Sequence, residues 1–141
     1  MAVHDRAELD REDRRVRRTT TGSLMSDTKW RKVFAAIKAH PELKLRQCIF
    51  KFVEDPEERI GTPGADLSVP RPWADTSTFG PIPLRSIEWI LFPRLAQYRF
   101  DRTTPPKLVS QDVDRAMSIL GDLGQMPLEM TERGLKVRGY V

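Results

Sequence analysis

Residues 80–93 have the sequence GPIPLRSIEWILFP, in which prolines enclose a run of branched and aromatic residues. Such residues favour a pleated, half-buried strand, and proline is tolerated at the limits of a strand. We therefore predict that residues 86–92 form the central strand of a small domain. If Ile87, Trp89 and Leu91 face the core, alternation places Glu88 on the other face with Ser86, Ile90 and Phe92, and the two apolar residues there indicate that this face is at least partly covered.

Apolar spacing predicts two helices elsewhere in the chain. Ser26 or Asp27 can cap the first helix, and the apolar residues that recur at helical intervals after it are Trp30, Val33, Phe34 and Ile37. Ser110 is the predicted cap of the second helix, whose apolar stripe comprises Val113, Ala116, Met117, Leu120 and Leu123.

Further strands are predicted at residues 43–53 and 97–100, with a hairpin over residues 127–140. Strands and helices do not alternate regularly enough for a doubly wound sheet. We predict an α+β fold, in which two helices pack on one face of a small, mostly antiparallel sheet.

A long loop is predicted between residues 59 and 80, because this segment is rich in glycine and proline. Trp73 and Phe79 lie within it. Long loops often carry function, although an aromatic side chain in a loop more often anchors the loop to the core. Arg71 lies close to Trp73, and arginine and tryptophan are both good interface anchors.

The 141 residues are expected to form one domain that follows a charged tail. Residues 1–24 hold six arginines and five acids but few apolar residues, so burial cannot offset the entropy of ordering them. We predict that residues 1–24 are disordered and that residues 25–141 form a single α+β domain. The segment that starts at Met25 resembles the N-terminus of a protein, so that residues 1–24 would be an upstream extension. Initiation at Met25 is a hypothesis that N-terminal sequencing of native protein can reject.

No catalytic, cofactor or metal motif is visible in the sequence. Glu88 is the carboxylate of greatest interest, because a half-buried acid needs a cation or hydrogen-bond donors. Its candidate partners are Arg46, Lys51 and Arg85, and an ion pair is favoured over a catalytic acid. Cys48 has apolar neighbours and no nearby base, so we predict a buried and inert thiol.

The net charge of +4 is too small to indicate a dense cationic surface. The main cationic cluster comprises Arg14, Arg15, Arg17 and Arg18, and a solvated arm is favoured over a nucleic-acid contact there. No apolar run is long enough to span a membrane, and the N-terminus lacks a signal-peptide core, so we expect a cytoplasmic protein without a membrane partner. A single cysteine suits a reducing compartment.

Three segments together resemble a family of small, uncharacterised bacterial domains. They are TKWRKVF at residues 28–34, GPIPLRSIEWI at residues 80–90, and the ending from Pro127 through Gly134 to Tyr140. The resemblance covers about residues 26–140. It implies a single bacterial cytoplasmic domain of unknown function and brings no catalytic or cofactor-binding residue. By analogy, small domains of this kind often accompany toxin–immunity or defence loci.

These observations predict a non-enzymatic protein-interaction module without a cofactor, and an immunity- or defence-associated role is one version of it. The predicted binding residues are Arg71, Trp73, Phe79, Arg85 and Glu88. One alternative is a nucleic-acid-binding accessory protein. The other is a small enzyme that uses Glu88 in a pocket under the loop at residues 59–80.

Overall fold

The computed structural model describes residues 6–20, 22–69, 72–99 and 101–141. Within these ranges the chain forms three α-helices and ten β-strands, and every strand pair is antiparallel. The α+β class predicted from the sequence is therefore confirmed.

The helices, in chain order, are α1 (Arg6–Thr19), α2 (Asp27–Ala39) and α3 (Val113–Gly121), with short 3₁₀ helices at Pro41–Leu43 and Leu84–Ser86. The strands are β1 (Cys48–Phe52), β2 (Glu58–Gly61), β3 (Ala65–Asp66), β4 (Trp73–Thr76), β5 (Gly80–Pro83), β6 (Ile87–Pro93), β7 (Leu95–Tyr98), β8 (Lys107–Ser110), β9 (Leu128–Met130) and β10 (Gly134–Arg138).

The largest sheet has five strands in the order β2-β1-β6-β10-β9. A second sheet has the order β3-β4-β5, and β7 pairs with β8 in a separate hairpin. β6 lies at the centre of the largest sheet, as predicted, and the predicted C-terminal hairpin is β9–β10.

The two predicted helices are present, and their caps are only partly as expected. Ser26 caps α2, because its side chain accepts a hydrogen bond from the backbone nitrogen of Lys29. α3 is capped by Asp112, whose carboxylate accepts from the backbone nitrogen of Arg115. Ser110 does not cap α3, because it still belongs to β8.

The predicted loop over residues 59–80 is wrong, because β3, β4 and the end of β2 lie within it. Two of its glycines leave room for side chains of the turn between β4 and β5. A Cβ atom on Gly64 would lie 2.6 Å from Ser77 Oγ, and one on Gly61 would lie 2.9 Å from Thr78 Oγ1. The glycine and proline signal therefore marks tight turns between very short strands.

A buried glutamine fixes the beginning of β1. Gln111 Oε1 accepts hydrogen bonds from the backbone nitrogens of Arg46 and Gln47, at 3.0 and 2.9 Å. Gln111 Nε2 donates to the carbonyl oxygens of Gln47 and Pro93, at 3.0 and 2.8 Å. Because these backbone groups bond to a side chain, β1 begins at Cys48 rather than at the predicted residue 43.

The strand register places two sets of residues on opposite faces of the five-stranded sheet. Phe50, Ile90 and Val137 are direct neighbours on adjacent strands, and all three are fully buried on the core face. The opposite face, which we call the outer face, carries the row Ile60, Ile49, Leu91 and Lys136. Trp89 shares the outer face with its neighbour Lys51. An assignment of the faces of β6 by simple alternation, with Trp89 and Leu91 toward the core, is therefore wrong.

A β-bulge at Glu88 explains this error. Phe52 pairs with Ile87 and the preceding residue of β1 pairs with Trp89, which leaves Glu88 without a partner on β1. Ile87 stays buried while Trp89 moves to the outer face. On the other side of β6, the nitrogen of Gly139 donates to Glu88 O at 2.7 Å, and a Cβ atom at residue 139 would clash with the carbonyl oxygens of Ile87 and Glu88.

The hydrophobic core joins α2 and α3 to the strands. Trp30, Val33 and Phe34 of α2 belong to one buried cluster with the core-face residues of β1, β6 and β10. α3 contributes Val113, Ala116 and Leu120, and it contacts β9 and β10. Met117 is not a core residue as predicted, since 37% of it is exposed.

The structure also differs from the predicted disorder of residues 1–24, because residues 6–19 form α1. Leu9 and Val16 on this helix are 4% and 0% exposed, and α1 contacts β5 and the 3₁₀ helix at Leu84–Ser86. Arg15 binds the Glu54 carboxylate through Nε and Nη2, at 3.0 and 3.2 Å. The buried face of α1 contains only two large apolar residues, Leu9 and Val16. Their number is too small for the overall composition of residues 1–24 to indicate a buried helix.

The segment after α1 lies beside the C-terminal residues. The nitrogen of Leu24 donates to Gly139 O, and the nitrogen of Val141 donates to Gly22 O, both at 2.9 Å. Ser23 and Tyr140 form a bridge between the same two segments. Residues 22–24 are thus part of the folded domain.

Candidate interaction surface

The predicted binding residue Trp73 is buried rather than exposed. Only 7% of it is accessible, and Arg6 Cζ of α1 lies 5.5 Å from the centroid of its ring. Arg31 of α2 donates to the carbonyl oxygens of Trp73 and Leu67, which holds this part of the chain against the helix. Trp73 therefore anchors β4 to the rest of the domain.

Phe79 also packs inward. Its ring meets the rings of Phe50 and Phe52 edge to face, with centroid distances of 5.1 and 5.2 Å. Such pairs add to the stabilisation that comes from burial. The two aromatic residues of the predicted surface are thus structural, while Arg71 lies outside the described residues.

Glu88 forms the predicted ion pair. Its Oε2 lies 3.0 Å from Lys51 Nζ, and Lys51 was one of its three candidate partners. Arg85 is exposed on the 3₁₀ helix, where its carbonyl oxygen accepts from the Tyr140 hydroxyl at 2.7 Å. The Arg85 side chain lines a shallow cleft of about 550 Å³ at the start of α2, and neither Trp73, Phe79 nor Glu88 lines that cleft.

Two further observations concern catalytic chemistry. Cys48 is fully buried, as predicted, and this burial raises the pKa of its thiol well above the usual range. A thiol in that state is a poor nucleophile. In the part of the chain that the structure describes, no group of three His, Cys, Asp or Glu side chains is arranged to hold a metal ion.

Three of the cations that could contact phosphates are engaged inside the domain. Arg15 binds Glu54, and Arg17 Nε lies 2.9 Å from Asp13 Oδ2. On α2, Lys29 Nζ donates to the carbonyl oxygen of Gln125 at 3.0 Å. The side chain of Arg18 lies outside the described part.

A different surface combines exposed apolar side chains with a concave shape. We call it the outer groove, and its volume is about 520 Å³. One wall is the outer face of the five-stranded sheet, with Ile49 and Ile60, and the other is β7, with Leu95 and Gln97. Ile60 is 65% exposed and Leu95 is 52% exposed.

The hairpin that forms the second wall is held against Gln47, the residue that precedes β1. Gln47 Nε2 donates to the carbonyl oxygen of Gln97, and Gln97 N donates to Gln47 Oε1, both at 2.9 Å. Leu108 of β8 is the direct partner of Gln97 in the hairpin and is 54% exposed. The apolar surface therefore continues from the groove along the hairpin.

Charged pairs border the outer groove. Arg133 lies in the turn before β10, and its Nη1 lies 2.7 Å from Oε1 of Glu58 on β2. This ion pair therefore spans β1 and β6, the two strands that lie between β2 and β10 in the sheet. A second ion pair joins Arg94 Nη1 to Oδ2 of Asp114 on α3, at 3.2 Å. An apolar centre with a polar rim is typical of protein interfaces.

This surface does not follow from the sequence patterns. They predict a loop at Ile60, and the predicted strand over residues 97–100 begins after Leu95. In the sequence, each side chain is a single large aliphatic residue between an arginine and a small residue, in Arg59-Ile60-Gly61 and Arg94-Leu95-Ala96. Single aliphatic residues of this kind are common at protein surfaces, so the pattern does not by itself mark a site.

These features define the class of protein: an α+β domain on an antiparallel sheet with an apolar groove on its outer face. The chain belongs to a family of unknown function, DUF6678, whose model matches residues 13–141. The predicted resemblance to a domain family of unknown function is confirmed, although the match begins inside α1 rather than near residue 26. No curated protein and no solved structure gives a significant match. In the described residues, no helix is long and apolar enough to cross a membrane.

Proposed function

We propose that this protein is a non-enzymatic interaction module whose protein partner docks in the outer groove. The observation that carries the proposal is that two exposed aliphatic side chains, Ile60 and Leu95, line one groove. Apolar side chains that are exposed as a group, rather than singly, mark interaction sites in soluble proteins.

The proposed occupant is an extended, apolar segment of the partner. β2, which carries Ile60, is an edge strand of the five-stranded sheet. An edge strand offers unpaired backbone groups, so a segment of the partner can add to the sheet while alternate side chains enter the groove. We infer that α2 and α3 cover the core face. On the outer face Leu91 is already buried, so the part that is open to this partner lies around Ile60 at the edge of the sheet.

The charges at the rim support a reversible contact. Arg133 and Glu58 are 55% and 40% exposed, so their ion pair contributes little to the stability of the isolated domain. It can therefore open when a partner arrives, and both side chains then become available for polar contacts with the partner. An immunity-type protein that blocks a toxin is one concrete version of such a module.

The two alternative functions have less support. For nucleic-acid binding through Arg14, Arg15, Arg17 and Arg18, Arg15 would have to leave Glu54 and Arg17 would have to leave Asp13. The first pair is exposed and can open as readily as the pair at the rim, so it is the small net charge of +4 that weighs against this alternative. An enzymatic role for Glu88 would require breaking its contact with Lys51. A gel-shift titration at low salt tests the nucleic-acid alternative, because nonspecific binding is strongest there.

The proposal is tested with peptides selected from a random phage-displayed library on the purified protein. Selected peptides are titrated by fluorescence anisotropy against the wild type, Ile60→Asp and Leu95→Asp. The matched control is Met117→Asp, which places the same charge at an exposed apolar position on α3.

We expect peptides with alternating apolar residues, and an affinity loss of about 30-fold in Ile60→Asp, which is the scale of an interface anchor. The control variant should bind like the wild type. Selected peptides that bind Ile60→Asp and Leu95→Asp as well as the wild type would show that the outer groove is not the site. Concentration-dependent dimerisation that Ile60→Asp abolishes would instead identify a second copy of the chain as the occupant.

A further inference from the structure

A second cleft lies between α2 and the turn that joins β2 to β3, and its volume is about 610 Å³. Its floor is apolar and includes Phe34 and Leu45, which are 3% and 6% exposed, together with Ile37 and Pro63. This volume lies within the range of about 300–1,000 Å³ that is usual for small-molecule sites. The outer groove is formed by other residues, so the two sites are separate.

Two cations lie at the edge of this cleft. Lys38 in the last turn of α2 and Arg46 just before β1 both line it, and both are exposed. Neither makes a salt bridge within the described part of the chain. A single acid, Asp66, lines the same cleft.

Asp66 offsets only one of these two positive charges. Its Oδ1 accepts from Ser68 N at 2.9 Å and from Ser68 Oγ at 2.7 Å. These hydrogen bonds, and the positive charge of Lys38, hold the pKa of Asp66 below its usual value. The carboxylate is therefore ionised at neutral pH, and the three charged residues of the cleft sum to one positive charge.

The walls of the cleft are held in place by backbone contacts. The nitrogen of Arg46 donates to Gln111 Oε1 at 3.0 Å and to Lys44 O at 2.9 Å, which fixes the backbone that carries this cation. On the opposite wall, the nitrogen of Ser77 donates to Gly64 O at 2.9 Å. A site with a preformed shape loses less entropy when a ligand binds.

We propose that this cleft binds a small organic monoanion. The apolar body of the ligand, about the size of one or two rings, packs on Phe34, Ile37 and Leu45, while its carboxylate, sulfonate or phosphate ester group pairs with Arg46 and Lys38. The apolar floor of the cleft predicts an apolar ligand body. The net charge of one among its three charged residues predicts a single negative charge on the ligand. The assignment does not depend on the outer groove.

The probe for the test is anilinonaphthalene sulfonate, a fluorescent anion with an apolar ring system. The uncharged comparison is phenylnaphthylamine, which lacks the sulfonate. Both are titrated against the wild type, Arg46→Glu and Arg102→Glu, which changes the net charge equally at an exposed position outside the cleft. Ile60→Asp controls for dye bound in the outer groove, and a melting curve of each variant confirms that it is folded.

We expect Arg46→Glu to weaken binding of the anionic dye about fivefold or more and to leave the uncharged dye unaffected. Arg102→Glu and Ile60→Asp should bind the anion like the wild type. An equal loss in Arg102→Glu would show that net charge alone attracts the dye. Loss in Ile60→Asp, without loss in Arg46→Glu, would place the dye in the outer groove. Either result would overturn the proposal.

Discussion

The side-chain amide nitrogen of Gln111 donates a hydrogen bond to the carbonyl oxygen of Pro93 at 2.8 Å. The same side chain also bonds to the backbone of Arg46 and Gln47. One buried amide thus connects the end of β6, the start of α3 and the segment before β1. It also fixes the backbone of Arg46 at the proposed anion cleft.

Replacing Gln111 by alanine should destabilise the fold by about 3 kcal/mol or more, because several buried backbone groups lose their partners at once. Urea denaturation measures this change. Gln97→Ala is the matched control: the bonds between residues 97 and 47 use the Gln97 backbone, so the control should remain within about 0.5 kcal/mol of the wild type. Equal losses in both variants would contradict the role given to Gln111.

Trp73→Ala should cost about 3–5 kcal/mol of stability, as for other large-to-small changes in a core. The reason is the burial of the indole beneath α1. Trp89→Ala should cost less, because Trp89 is half-buried on the outer face, where Lys136 Nζ lies 4.7 Å from its ring centroid. Thermal melting compares the two variants. If the Trp73→Ala protein were as stable as the wild type, the burial of Trp73 in the core would be contradicted.

Helix α1 should contribute to the stability of the domain. The double variant of Leu9→Ala and Val16→Ala should lower the free energy of unfolding by about 2 kcal/mol or more, because it removes two buried side chains. Arg11→Ala, on the exposed side of the same helix, is the control and should be nearly neutral. If deletion of residues 1–24 left the melting temperature unchanged, the disordered tail expected from composition would be correct after all.

Asp101 should titrate well below an ordinary aspartate. Hydrogen bonds from the backbone and hydroxyl of Thr104, and then from Thr103, lower the pKa of Asp101 to about 2. An unfolded aspartate has a pKa of about 3.9, so the folded state favours the charged form. This contribution to stability is present above about pH 4 and is lost as the pH falls through about 2.

A carboxyl-carbon NMR titration measures this pKa. Thr104→Ala should raise it toward the ordinary value, whereas Thr62→Ala, in a different turn, should leave it unchanged. A pKa of Asp101 near 4 in the wild type would show that the threonine hydrogen bonds do not form in solution.

The elements that could be predicted from the sequence are those marked by a pattern of neighbouring residues. The spacing of Trp30, Val33 and Phe34 has the helical period, and Ser26 has the chemistry of a cap, so α2 was predicted closely. The apolar run that contains Ile90 identified the central strand. These signals depend only on neighbours in the chain.

The remaining differences depend on contacts between distant residues. The bulge at Glu88 reverses the faces of β6, and no local pattern indicates where an extra residue enters a strand. β1 is shortened by Gln111, which lies far along the chain. Ile60 and Leu95 line the same groove although they lie on different sheets and far apart in the chain. The candidate surface could therefore not be assembled from sequence periodicity.

The contact between Gly139 and the bulge has a consequence for sequence variation in the family. A side chain at residue 139 cannot be accommodated while the extra residue at Glu88 is present, because the two backbones approach too closely. Relatives that keep the extra residue should therefore keep the glycine, and relatives in which β6 is one residue shorter should tolerate other amino acids at residue 139. The two positions should change together during evolution, although they lie far apart in the chain.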